Sequence, residues 1–301
     1  MNLPWLPCLA QADLARLSGL EYDLAQKAVL IGTVYAVILL LGLAADAGLV
    51  VLARTRSLRW RECVSALVWR PVGRAECGAV LLVMALSYGL VALFHRPLLA
   101  AAAPLGLSTA SFLIIVQSLV FHWTGLAAVA ALLVRRGLPW RSAFGMTWAR
   151  LPRHAGWGLF GLLAAMPVML FCTLLYHLVL HAFGHQPSLQ DVAFAISDET
   201  HVAVRVYFFL LAVVIAPLFE EILFRGILLP VLARRFGVLA AVAAVSVLFA
   251  LIHGHAPSLV TLFLFSVVLC AGYLFTRSLT TSIVMHALFN AVTVTILLSV
   301  R

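Results

Sequence analysis

Long apolar runs, each closed by arginine, glycine or proline, divide this chain. A helix needs about 20 apolar residues to cross a hydrocarbon core. Eight runs meet or approach that length: about 28–52, 76–95, 109–134, 156–181, 203–223, 238–254, 258–276 and 280–299. The loops between them alternate in arginine content. The first carries Arg54, Arg56, Arg59, Arg61, Arg70 and Arg74; the second carries only Arg96; the third carries Arg135, Arg136, Arg141, Arg150 and Arg153. The fourth, from His185 to His201, holds Asp191, Asp198 and Glu199 and no lysine or arginine. Arg225, Arg234 and Arg235 follow the fifth run, the turn Gly254–Pro257 has no basic residue but histidine, and Arg277 follows the seventh run. Cytoplasmic loops retain lysine and arginine, so this alternation fits eight crossings with both termini outside the cytoplasm. The pattern predicts an all-α, polytopic integral membrane protein with about eight transmembrane helices, expected in a bacterial inner membrane.

Composition changes this picture little. Hydrophobic residues make up 64% of the 301, charged residues 10%, and mean hydropathy is +1.10, whereas a soluble domain carries roughly 25% charged residues. The net charge of +9 is almost all arginine, Lys27 being the only lysine. It reads as membrane orientation, not as nucleic-acid binding. Cys8, Cys63, Cys77, Cys172 and Cys270 are scattered and lack a CxxC spacing, so free thiols are expected. Residues 1–27 have no basic start and are interrupted by Asp13, Glu21 and Asp23. They are expected to form an N-terminal interfacial segment carrying Leu14, Leu17, Leu20, Tyr22 and Leu24, or else a loosely ordered leader, and not a signal peptide. Residues 28–200 then hold four spans and their loops, and 201–301 the polar core spans. The aromatic, basic stretch from Arg135 to Trp148 suits a cytoplasmic interfacial segment, and 187–200 an outer loop with one helical turn.

Candidate chemistry lies in the last hundred residues. Residues four apart share a helix face. Glu221 and Arg225 are so spaced, as are Phe249 and His253, and His286 and Asn290. If the three stripes meet, they enclose a polar intramembrane cavity. Adjacent helix positions diverge by about 100°, so with Glu221 paired to Arg225 the neighbouring Glu220 is left without a local cation. An unpaired carboxylate in such surroundings suits a general base. Other polar residues rank lower. His177, His181 and His185 could present a metal face; Asp46 could face a wet cavity; His255 reads as a loop residue, and His122 and Tyr88 as packing groups. Read as a span starting at 203, the fifth run would hold Glu220 too far from His253 in depth. A helix continuing through Arg225 to about Ala233 would bring Glu220 to mid-depth.

These motifs resemble the family of CAAX proteases and bacteriocin-processing enzymes, also called CPBP or Abi, whose eukaryotic relative is the type II CAAX prenyl endopeptidase. The resemblance rests on Glu220-Glu221-Ile-Leu-Phe-Arg225, Phe249-Ala-Leu-Ile-His253 and His286-Ala-Leu-Phe-Asn290, in that order, and covers about Leu211 to Val294. It implies an intramembrane endopeptidase acting on a peptide or protein at the membrane. Carried over residue by residue, Glu220 and His253 would activate water, His286 and Asn290 would stabilise the oxyanion, and Glu221, Arg225 and Phe249 would support them. The absence of HExxH favours chemistry without a cofactor. The alternative is one zinc held by Glu220, His253 and His286. Two other functions compete: a non-enzymatic immunity or scaffold protein of the same family, and a transporter relaying protons through Glu220 and the histidines.

Overall fold

The computed structural model describes residues 6–55, 60–68, 70–102, 106–185, 190, 195–196 and 199–299. Arg56, Arg59, Asp191, Asp198 and most of 187–200 lie outside the described residues. Among the described residues there is no strand. The helices are α1 Leu6–Thr55, α2 Trp60–Val68, α3 Arg74–Leu93, α4 His95–Ala102, α5 Thr109–Arg135, α6 Trp140–Phe144 and α7 Leu151–Ala182. They continue as α8 Val202–Phe236, α9 Val238–Ile252, α10 Leu259–Thr276 and α11 Leu279–Ser299. The protein is an all-α, polytopic membrane protein.

Seven of these helices are long and apolar enough to cross a membrane. Three depart from the sequence expectations. First, α1 is one helix of 50 residues, so from Leu6 onward the expected interfacial segment and the first span run together. Second, α8 runs unbroken for 35 residues, as the depth argument required, and Glu220 sits one residue from its midpoint. Third, α9 has only 15 residues, about 22 Å of helix at 1.5 Å per residue, and falls short of a core about 30 Å thick. The expected span 238–254 is therefore a helix too short for a full crossing, and its last residue is Ile252. The turn after it is fixed below the end of α7. Tyr176 Oη donates to the Ala256 carbonyl at 2.8 Å and a His177 ring nitrogen to the Pro257 carbonyl at 3.0 Å. Tyr176 lies six residues before the end of α7, about 9 Å along the axis. His253 thus lies below the end of α7 and is half-buried.

Lipid-like surroundings give helices no hydrophobic drive to associate, so they pack through close fit and small residues. At Gly158 of α7 an added Cβ would stand 3.0 Å from the Thr281 carbonyl of α11. At Gly125 of α5 it would stand 2.3 Å from the Phe219 ring of α8. The principal core gathers Phe219, Phe224, Phe249, Phe265, Leu269 and Met285, all buried. Leu40, Leu86 and Phe171 face outward, as a lipid-facing surface requires. In the Arg135–Trp148 segment, Trp140 and Trp148 are exposed as expected of an interface. Phe144 is not interfacial: it is fully buried against Gly226.

Candidate active site

The central turn of α8, Ala216–Glu221, is α-helical and is flanked by two π-helical runs, Leu211–Ile215 and Ile222–Leu228. Each run ends two residues before a proline. The Ala216 N–H bonds the Leu211 carbonyl, and the Leu229 N–H bonds the Phe224 carbonyl, both five residues back. Pro217 and Pro230 follow. A proline ring clashes with the carbonyl four residues earlier, and a π-turn moves that carbonyl away. The sequence thus makes π-turns around the acids, where such turns often mark function.

The two glutamates are separated as their angular offset predicts. The Glu221 side chain is fully enclosed. Its Oε1 accepts from Arg225 Nη1 at 2.8 Å and from His286 Nδ1 at 2.9 Å. The other arm of the Arg225 guanidinium, Nη2, donates to Ser266 Oγ at 2.7 Å and to the Ser266 carbonyl at 3.1 Å. The guanidinium also lies over the Phe249 ring, 4.8 Å from its centre. The Glu220 side chain keeps 18% exposure, and its Oε2 lies 3.9 Å from His286 Nε2. That oxygen is buried and has no hydrogen-bond partner. A separation of 3.9 Å is too wide for a direct hydrogen bond.

The histidines converge on Phe249. Ring centres of His253 and His286 lie 4.7 and 5.8 Å from that of Phe249. His253 follows the last residue of α9 and donates from Nδ1 to the Phe249 carbonyl at 2.7 Å, one of the carbonyls a helix end leaves free. No direct hydrogen bond or ion pair joins His253 to Glu220 among the described residues. Asn290 Nδ2 donates to the Ala212 carbonyl at 2.7 Å. Hence α8, α9 and α11 bring Glu220, Glu221, Arg225, Phe249, His253 and His286 together, while Asn290 reaches one π-turn further along α8.

Two participants were missed in the sequence. Ser266 gave no signal, because a serine in an apolar run is unremarkable until Arg225 is seen against it. His122 was read as a packing group. Its Nδ1 donates to the Ser118 carbonyl at 2.9 Å, its ring meets Phe219 edge-on at 5.2 Å, and it lies within electrostatic reach of Glu220. Other expectations find no site. His177 is spent on Pro257, and His181 and His185 are exposed. Among the described residues no three His, Cys, Asp or Glu side chains gather as a metal-ligand set. Asp46 is only half-buried.

A membrane bundle that buries a carboxylate beside imidazoles, with a second carboxylate neutralised by arginine, has the parts of a membrane-embedded hydrolase. Residues 202–292 match the family model described as type II CAAX prenyl endopeptidase, Rce1-like, and this stretch is a domain of the CAAX protease family. It spans α8 to α11 up to Val292 and contains every residue of the cluster except His122 of α5. No curated protein and no solved structure gives a match.

Proposed function

We propose that the chain is an intramembrane endopeptidase in which Glu220 is the base that activates water. The observation that carries this is the contrast between adjacent acids. Glu221 is neutralised by Arg225, whereas Glu220 has no cation of its own among the described residues and presents a buried oxygen, without a hydrogen-bond partner, 3.9 Å from His286 Nε2. With Nδ1–H given to the Glu221 carboxylate, a neutral His286 offers the lone pair of Nε2. This favours His286 beside Glu220 on the water's side. His253, its Nδ1 spent on Phe249, likewise keeps Nε2 for that water or for substrate. Glu220 takes a proton from water, and the oxygen adds to the scissile carbonyl carbon. The negative charge then grows on the carbonyl oxygen, where fixed donors act most strongly. Asn290 keeps a second amide hydrogen for that oxygen. The C–N bond then breaks, and the proton held by Glu220 leaves with the amine. The mechanism needs no metal. The substrate class is a peptide or protein held at the bilayer, and both chain termini are assigned to the non-cytoplasmic side.

The test uses the purified full chain in detergent and a quenched peptide ending in a prenylated CAAX sequence, with an unprenylated transmembrane peptide as second substrate. Glu220→Gln should lower kcat by at least about a hundredfold and leave the unfolding temperature unchanged. Glu221→Gln should lower both. Cleavage should persist with chelator, and elemental analysis should find no bound zinc. Undiminished cleavage by Glu220→Gln removes the glutamate mechanism, and stoichiometric zinc removes its metal-free form.

A further inference from the structure

Asn290 supplies an oxyanion donor in the mechanism above, yet its one direct bond enters the backbone of α8. Nδ2 donates to the Ala212 carbonyl at 2.7 Å. That carbonyl has a specific reason to lack a helical partner. In the π register of Leu211–Ile215, the Ala216 N–H is already spent on Leu211. The next donor in that register belongs to position 217, which is proline and has no N–H. Ala212 would therefore hold an unpaired carbonyl inside a membrane span, where water is not at hand to satisfy it.

We propose that Asn290 is a positioning residue for the catalytic acid: its amide supplies the hydrogen that Pro217 lacks, and so holds the π-turn that orients Glu220. A π-turn takes in one residue more than an α-turn. Every position beyond it is rotated by about 100° from its place in an uninterrupted α-helix. Ala216–Glu221 follows the turn directly. Were the turn lost, Glu220 would swing away from His286 Nε2, and Glu221 would leave His286 Nδ1. His286 lies one helical turn before Asn290. One face of α11 thus grips α8 twice, at the carboxylates through His286 and at the π-turn through Asn290. Only the kinetic consequences of this lock rest on the glutamate-peptidase mechanism.

The test is a double-substitution cycle on the full chain: Asn290→Ala, Pro217→Ala and the pair. Pro217→Ala restores an N–H that can serve Ala212 in the same π register. With proline in place, Asn290→Ala should lower the unfolding temperature by about 3 °C or more. It should also lower kcat by about tenfold or more, with KM held within about twofold. In the Pro217→Ala background the same change should cost less than about a third of that temperature drop and less than about threefold in kcat. Asn290→Asp keeps the shape but has no N–H to give and should behave like Asn290→Ala. Equal losses of kcat in both backgrounds, with an unchanged unfolding temperature, would make Asn290 an oxyanion donor alone and overturn the lock. The temperature cycle needs no substrate. Coupling there in a protein that cleaves nothing overturns the peptidase mechanism and leaves the lock standing; additivity there in an active protein overturns the lock only. Pro217→Ser offers the same N–H if Pro217→Ala does not accumulate.

Discussion

Glu221 and Arg225 are a fully enclosed ion pair, and at the scale of single residues their worth lies in mutual neutralisation. An isolated charge in this setting is very costly, and an opposite charge in contact offsets much of that cost. Here one carboxylate oxygen serves both Arg225 and His286, and Ser266 takes the second arm of the guanidinium, while Glu221 Oε2 and Arg225 Nε are buried without a hydrogen-bond partner. Arg225→Met should therefore strand the Glu221 charge and destabilise the protein by about 3–5 kcal/mol, read as a fall in unfolding temperature or in membrane accumulation. The pair Glu221→Gln with Arg225→Met should recover part of that loss. If Arg225→Met costs nothing, the pair is not what holds the turn. Much of this chemistry was legible in the sequence. Four-residue spacing joined Glu221 to Arg225 and left Glu220 apart, because that geometry is local to one helix. The partner of His286 was not legible, since it depends on how α11 is set against α8. Ser266 and His122 were invisible for the same reason: their meaning comes from a neighbour more than forty positions away.

At the scale of elements, apolar run length located the helices but by itself did not fix two of their ends. The run from 203 was counted only to 223, and only the depth of Glu220 carried the helix on through Arg225 to about Ala233. Charges neutralised by one another do not end a span, and α8 passes straight through them. The run from 238 seemed a full crossing because hydropathy does not register a helix C-terminus such as His253. Pro217 and Pro230 were visible as residues, but the π-turns they accompany were not, because turn register is settled by backbone bonds. The approach of α5 to α8 yields a direct test. Only a glycine at 125 leaves room for the Phe219 ring, and Phe219 precedes Glu220 in the chain. Gly125→Val must displace that ring, an overpacking cost of about 1–3 kcal/mol. It should also lower kcat far more than an equal loss of stability elsewhere, because Glu220 moves with the ring. Gly89→Val on α3 meets no atom within 4 Å and should change stability by less than about 0.5 kcal/mol. Equal activity in the two variants would separate the Gly125 contact from catalysis.

At the scale of the whole molecule, the two ends of the bundle are closed by different means. The arginine-rich end is tied by guanidinium groups on backbone carbonyls. Arg70 binds the carbonyls of Ser142 and Arg277, and Arg234 those of Val68, Arg70 and Val72, so residues that orient the chain also join α2, α6, α8 and α10. At the other end, Glu199 of the arginine-free loop is buried. It accepts from the Ser111 hydroxyl at the start of α5 and from the His201 N–H at 2.8 Å and ring at 2.9 Å. Beside it Ile196, Phe208 and Val294 form a small second core. Burial pushes the Glu199 carboxyl upward, but the bonds from Ser111 and His201 outweigh it and bring its pKa to about 2. The sign follows from linkage: a carboxyl whose folded pKa is depressed stabilises the fold fully above its ordinary value of 4.5. That contribution is lost as pH falls towards about 2. The purified protein should thus unfold at a higher temperature than Glu199→Gln at pH 7. The gap should hold down to about pH 5 and narrow steadily between about pH 4.5 and pH 2. Taking the difference between the two proteins cancels the titration of every other carboxyl. A gap that is constant down to pH 2.5 would mean that the closure depends on the shape of Glu199 and not on its charge.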